Sequence, residues 1–328
     1  MPTRQTKVLV CNDDGISAPG IAALANALVQ DGKFEVRVVA PSTEKSACSH
    51  SVSLHQPISV QFAKDGREFN LPVPIPAWSV GGTPVDATGL ALSGDLFRVC
   101  NAEDATTENQ SSWRPDVVVS GINRGANYGR LAYYSGTVGA AREATFFGVK
   151  AMAVSLDSFR AKTMDDFAET ARLAVPIVDW LASDNRWPVN VVLNMNIPAL
   201  DKSFCSKSPS NQQTPTPTTL AISRMGKSTV QSGYTLLESE GEMTGSENGI
   251  KENVDGIANL RFKMRGWKEL DPDGCATTDD MIGVKKGFTV LAAIPPAYAL
   301  DQMAAAEKCL SDWRGKLKHP VIDWFEGE

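Results

Sequence analysis

Continuous apolar runs alternate with segments of helical spacing through the first 200 residues, and nothing else in this sequence restricts its fold as strongly. Lys7-Val8-Leu9-Val10-Cys11 is a short β-branched run, followed by the polar turn Asn12-Asp13-Asp14-Gly15. Pro19 can then open a helix with Ile21, Leu24, Ala25 and Leu28 on one stripe, closing near Gly32. Phe34 to Ala40 reads as a second strand, and Pro41 starts a loop. Asp116 to Val119, Met152 to Val154 and Val191 to Leu193 are further continuous runs. Such runs have no polar face to offer water, as expected of parallel strands buried on both sides. Helical patterns fit residues 84–92, 137–147 and 164–182. The alternation predicts an α/β fold with a doubly wound, mostly parallel sheet, which binds ligands beyond the carboxyl ends of its strands.

The composition then shifts. Residues 201–218 are rich in Ser, Thr, Pro and Gln, which favours neither helix nor strand. Short strand signals follow at 220–222 and 260–262, around a Gly/Glu/Ser-rich stretch at 238–256. Phe288 to Ile294 reads as a returning core strand and Tyr298 to Leu317 as a terminal helix. The expected division is a core over 1–200, a partly mobile excursion of hairpins and loops over 201–280, and a returning strand and helix over 281–328. No internal repeat is visible.

Several function classes fall away on composition. The 328 residues are enough for a sizeable core, and only three His and six Cys are present. No two Cys form a CxxC pair, which argues against a structural zinc site and, with the length, against a dense disulfide framework. The net charge is −6 and no Lys/Arg run exceeds two residues, so no duplex-binding surface is expected. No stretch reaches the ~18–20 apolar residues of a membrane span, and no signal peptide is seen at the start. The expected home is cytoplasmic. Chemistry must rest on Asp, Asn, Ser and backbone amides, and any metal should be a hard cation such as Mg²⁺ or Mn²⁺.

Four polar segments follow strands. Asp13 and Asp14 are adjacent carboxylates that repel, so a site holding both calls for a cation, with Gly15 turning the chain beneath it. A solvated turn uses the same residue types. Ser120-Gly121-Ile122-Asn123 runs on as Arg124-Gly125-Ala126-Asn127-Tyr128-Gly129, a Gly- and Asn-rich loop suited to close approach by a ligand, or simply a turn-rich loop. Tyr134-Ser135-Gly136-Thr137 precedes a helix of small residues, where free amides at a helix N-terminus can bind phosphate; ordinary capping by Ser135 or Thr137 explains the same residues. The hydroxyl-rich segment from Ser42 to Ser51 offers further contacts or a flexible polar loop, and Gly81-Gly82-Thr83-Pro84 reads as a capped helix start. No GxSxG elbow, P-loop or GxGxxG follows any strand, which removes acyl-transfer triads, P-loop chemistry and a dinucleotide site.

These segments, read together, resemble the SurE (survival protein E) family of metal-dependent 5′/3′-nucleotidases and acid phosphatases. The matching stretches are VLVCNDDGISAPGIAALANAL (8–28), APSTEKSACSHSVSL (40–54), GGTPVDAT (81–88), PDVVVSGINRGANYG (115–129), YSGTVGAAREA (134–144) and LNMNIP (193–198). The resemblance implies a Rossmann-like core and hydrolysis of phosphomonoesters, nucleoside monophosphates above all, by metal-assisted attack of water with Asp13 or Asp14 handling the proton. It implies one divalent cation per subunit, Mg²⁺ or Mn²⁺ (Ca²⁺ in a crystal), on Asp13, Asp14, Ser46 and Asn123. Phosphate contacts fall on Asn127, Ser135, Gly136 and Thr137. A homodimer or dimer of dimers is implied too, with the excursion and the C-terminal helix exchanged between subunits.

The chain departs from the family pattern at Ala47, where the family has Gly, at Ala144, likewise, and at Ala293-Ile294-Pro295-Pro296. A weak echo of the family's late acidic segment lies at Thr278-Asp279-Asp280, and the long 201–280 region resembles the plant-type branch. Two other readings stay open on sequence: a non-catalytic nucleotide-binding or regulatory module, and a metal-dependent nucleotide-sugar transferase using the same acidic pair.

Overall fold

The computed structural model describes residues 4–100, 113–199, 220–224, 229–240, 259–270, 289–294, 301–314 and 321–323. The strands are β1 (Thr6–Cys11), β2 (Phe34–Pro41), β3 (Val60–Ala63), β4 (Ala77–Val80), β5 (Val117–Arg124), β6 (Lys150–Asp157), β7 (Val192–Pro198), β8 (Leu220–Arg224), β9 (Thr229–Glu240), β10 (Asn259–Leu270), β11 (Thr289–Ile294) and β12 (Val321–Asp323). The helices are α1 (Pro19–Asp31), α2 (Pro84–Leu92), α3 (Asp95–Cys100), α4 (Leu131–Tyr134), α5 (Gly136–Phe146), α6 (Met164–Ser183) and α7 (Asp301–Arg314).

Ten strands form one sheet in the order β12-β8-β11-β7-β6-β5-β1-β2-β4-β3. Among the described residues of this sheet, only the β7–β11 and β3–β4 pairings are antiparallel. From β1 the chain winds outward through β2 and β4, and later through β5, β6 and β7 on the other side. The point of reversal therefore lies between β1 and β5, where open α/β sheets form their ligand crevice. Residues 227–275 form a second compact unit, built on the antiparallel β9–β10 pair.

The apolar runs become the strands because both faces of the sheet are covered. Val8, Leu9 and Val10 in β1 and Val117, Val118 and Val119 in β5 are all fully buried. On one face α1 packs against α6; on the other α2 packs against α5. Each burial of a Leu or Ile side chain such as Ile21, Leu24 or Leu28 contributes about 1.5–3 kcal/mol. Pro19 opens α1 and Gly32 closes it in the left-handed conformation (φ 80°). Gly20 lets α1 lie directly on β5, since a Cβ there would fall 2.1 Å from the Ile122 carbonyl oxygen.

Strands β3 and β4 escaped the sequence reading, being four residues each and too short for a period to register. The capped start predicted at Thr83 is present: Thr83 and Asp86 exchange side-chain and backbone bonds in a capping box. The tract at 201–218, most of the stretch at 238–256 and the acidic echo at 278–280 lie outside the described residues.

Candidate active site

The turn after β1 is held by its own side chain. Asn12 Nδ2 donates to the Gly15 carbonyl (2.9 Å) and Asn12 Oδ1 accepts from Gly15 N–H (3.2 Å). Gly15 has φ 101°, a left-handed conformation that other residues adopt only with strain. The loop after β2 is pinned across this turn, because Lys45 N–H donates to the Asp13 carbonyl (2.7 Å) and Ile16 N–H to the Pro41 carbonyl (2.8 Å).

The two carboxylates diverge from this turn. Asp13 is 3% exposed and turns toward α5, where the Thr137 hydroxyl donates to its Oδ1. Gly136 is the residue that allows this approach: a Cβ there would lie 2.8 Å from both Asp13 Cβ and Cys48 Sγ. Asp14 turns to the end of β5, where Arg124 N–H donates to its Oδ2 (3.1 Å). Burial, reinforced by the neighbouring Asp14 charge, pushes the Asp13 carboxyl up to about 6. Asp14 is also raised, chiefly by burial, with the Arg124 N–H and guanidinium opposing it.

The other candidate residues occupy the same crevice in different ways. Asn123 donates from Nδ2 to the Gly125 carbonyl (2.6 Å), which fixes the orientation of its side-chain amide. Ser135 is the N-cap of α5, its hydroxyl accepting from Val138 N–H (3.1 Å). Ordinary capping therefore accounts for the Ser135 hydroxyl and the Val138 N–H, and the Thr137 N–H turns to Asp13. Ser46 is exposed, and its hydroxyl donates to Glu44 Oε1 (2.8 Å).

Asn127 is buried and held from three directions. Its N–H donates to Asn196 Oδ1 (2.8 Å), its Nδ2 to Ser155 Oγ (2.9 Å), and its carbonyl accepts from Asn194 Nδ2 (2.8 Å). The roles of Asn194 and Asn196 were missed by sequence reasoning. Their signal was present: two Asn at spacing two inside the apolar strand LNMNIP share one face and need polar partners.

A second tie joins the loop after β2 to α5. His50 Nε2 and Glu143 Oε2 lie 2.8 Å apart, and Ser49 N–H donates to the Tyr134 carbonyl (2.9 Å). Gly139 makes room for this loop, as a Cβ there would meet the Ser49 carbonyl oxygen at 2.4 Å. The structure thus collects Asp13, Asp14, Asn123, Ser135, Gly136 and Thr137 at the carboxyl ends of the central strands, and ties Asn127 to β6 and β7.

Whether these residues suit a divalent cation follows from their charges. Neither Asp13 nor Asp14 has a Lys, Arg or His side chain within ion-pair distance among the described residues. Two carboxylates both raised chiefly by burial, Asp13 also by the charge of Asp14 and Asp14 by that of Glu44, form with the Asn123 amide a hard-donor set that a divalent cation would relieve. No three His, Cys, Asp or Glu side chains gather as a metal cage among the described residues. A cavity of about 380 Å³ opens beside Asp14.

Comparison with known proteins places the chain among close relatives. A family model described as survival protein SurE matches residues 8–230. The 5′-nucleotidase SurE of Clostridium beijerinckii is 36% identical over 270 residues, 81% of this chain and 91% of that protein. The 5′-nucleotidase SurE of Prochlorococcus marinus (strain MIT 9303) is 40% identical over 193 residues, 58% and 62% of the two chains. The crystal structure of the SurE protein from Aquifex aeolicus superposes with a TM-score of 0.58 at 23% identity, over 92% of this chain and 98% of that one, and shares the fold.

Proposed function

The chain belongs to the survival protein SurE family, and from that premise we propose that it is a phosphomonoesterase that hydrolyses nucleoside monophosphates with a divalent cation. The observation that carries this reading is the Asp13–Thr137 contact, which seats a buried carboxylate against the N-terminus of α5. A phosphoryl group over that helix end meets the positive end of the helix dipole. Charge developing on its equatorial oxygens is stabilised there without reorganisation.

Asp13, Asp14 and Asn123 would hold the cation, Ser46 joining if its hydroxyl leaves Glu44. When bound, such an ion polarises a phosphoryl oxygen and lowers the pKa of a coordinated water. Asp13 and Asp14, facing either side of the sheet edge, are the groups able to take a proton from attacking water. Thr137 fixes the orientation of the first, and Arg124 N–H that of the second. Asn127, Ser135, Gly136 and Thr137 are the phosphate contacts of this reading, and the ties of Asn127 to Asn194, Asn196 and Ser155 fix the loop that follows Asn123.

The finer parts of this reading are Mg²⁺ or Mn²⁺ as the working cation, a cytoplasmic setting and a homodimer or dimer of dimers. Support for the cation is the donor set, all oxygen. No helix of the described residues is long and apolar enough to cross a membrane. We also take 1–200 as the catalytic core and 281–328 as the returning core strand and C-terminal helix, with the 201–280 excursion and the C-terminal helix as the segments exchanged on assembly.

The test is release of inorganic phosphate from AMP and GMP with and without EDTA. Release that EDTA suppresses and Mg²⁺ or Mn²⁺ restores is the expected result. Binding of the nucleotide without release would overturn it.

A further inference from the structure

The acidic pair divides the sheet edge into two faces with different surroundings. Gly136 and Thr137 meet Asp13 on the α5 face. On the α1–α6 face, beside Asp14, lies the cavity of about 380 Å³, bounded by the start of α1, the loop after β2, Arg124 and the loop before α6. That volume is at the lower end of the ~300–1,000 Å³ of small-ligand sites.

Its wall is chemically mixed. Thr43 and Glu44 supply acceptors, Arg124 and Lys162 supply positive charge, and Pro19 and Phe167 supply apolar surface. An inorganic anion makes no use of the apolar wall, and an aliphatic ligand makes none of the charged groups. A nucleoside uses both, having a flat heteroaromatic face, a donor–acceptor edge and ribose hydroxyls.

A second observation concerns the loop that carries Lys162. Phe159 is 77% exposed, among the most exposed large apolar side chains described. Its ring lies over Gly125, where a Cβ would come within 2.7 Å of the ring. Gly125 directly follows Arg124, and Phe159 precedes Ala161 and Lys162 of the cavity wall by two and three residues. Phe159 itself stands outside the cavity lining, next to its Arg124 and Ala161 walls in sequence, and a flat aromatic ring left in water at such a margin offers a surface for stacking a base, whatever its identity.

We propose that this cavity takes the nucleoside part of the substrate, with the base stacked on Phe159 and its polar edge facing Arg124 and Lys162, while the phosphate stays on the α5 face. The substrate thus crosses the sheet edge over the acidic pair. This inference rests on the phosphomonoesterase reading above, and its test separates the two.

The experiment measures kcat/KM for AMP, GMP and glycerol phosphate, which carries no base, in the wild type and in Phe159→Ala and Ser17→Trp. Ser17 lines the cavity and is exposed, so the larger ring fills the cavity without entering the core. Adenosine is added as a competitive inhibitor, and thermal melting checks that each variant is folded. The ratio of nucleotide to glycerol phosphate kcat/KM should fall about tenfold in both variants, with inhibition by adenosine weakened in step. A parallel change on all substrates, or none, would overturn the inference. So would a Phe159→Ala variant that alters only the oligomeric state, which would make the ring a subunit contact. If the wild type releases phosphate from none of the three, the phosphomonoesterase reading falls first and the inference with it.

Discussion

The Thr137 hydroxyl donates to the Asp13 carboxylate across 124 residues of sequence, joining the turn after β1 to the first turn of α5. Both partners are buried, so the bond is shielded from water and fixes the carboxylate direction. Thr137→Val keeps the β-branched shape and deletes the donor. Losing a hydrogen bond to a charged group is worth about 1.5–3 kcal/mol, so kcat/KM for AMP should fall at least about tenfold. The acidic limb of the pH–rate profile should move to higher pH, and Thr137→Ser should restore most of the loss. An unmoved limb would detach Thr137 from Asp13.

Asp13→Asn preserves volume and removes the charge. Phosphate release from AMP should be abolished while the thermal melt stays cooperative. Turnover near the wild-type level would remove Asp13 from the mechanism.

The raised Asp13 carboxyl sets a pH dependence whose sign is defined. Its folded value of about 6 lies above the ordinary ~3.9, so the native state holds this proton more tightly than the unfolded chain. The contribution is fully present below about pH 4 and is lost as pH rises through about 6, amounting to roughly 3 kcal/mol. Melting of the EDTA-treated protein between pH 4 and 7 should show this loss, and Asp13→Asn should remove it. Cation binding needs the ionised form, so Mn²⁺ affinity by calorimetry should rise about tenfold from pH 5 to 7.

Ala47 stands at φ 57°, in the left-handed region, at the position where the family pattern has Gly. A non-Gly residue pays about 1–2 kcal/mol there, and Gly gives back part of that through the entropy of the unfolded chain. Ala47→Gly should therefore stabilise the fold by about 0.5–1 kcal/mol, a melting rise of about 1–3 °C by calorimetry. A lower melting temperature would refute the strain.

Cys11 is buried, and burial pushes its thiol up to about 12, which favours the protonated form over the thiolate a metal would need. Its sulfur contacts the Asn12 and Pro84 carbonyls instead. Cys11→Ala should cost about 1 kcal/mol of packing while phosphate release stays Mg²⁺- or Mn²⁺-dependent. Zinc proving the best activator would overturn the oxygen-donor assignment.

Much of the fold was legible because its signals are local. The runs at Val8, Val117, Met152 and Val192 can hide from water only inside a covered sheet, and Pro19, Gly32 and Thr83 mark helix ends within a few residues of themselves. Of the site, the acidic pair and the Ser-Gly-Thr of α5 were visible as turn and cap chemistry at strand ends.

What the sequence determined by itself was the order of elements and the edge of the sheet on which polar residues collect. Tertiary structure alone decided which way each of them turns. Asp13 goes to α5 and Asp14 to β5, Ser46 bonds to Glu44, and Asn194 and Asn196 fasten Asn127. These directions depend on partners dozens of residues away or, for Ser46, on a loop pinned by Asp13 and Pro41. Local spacing carries no information about such partners until the sheet closes and burial forces each polar group to find one.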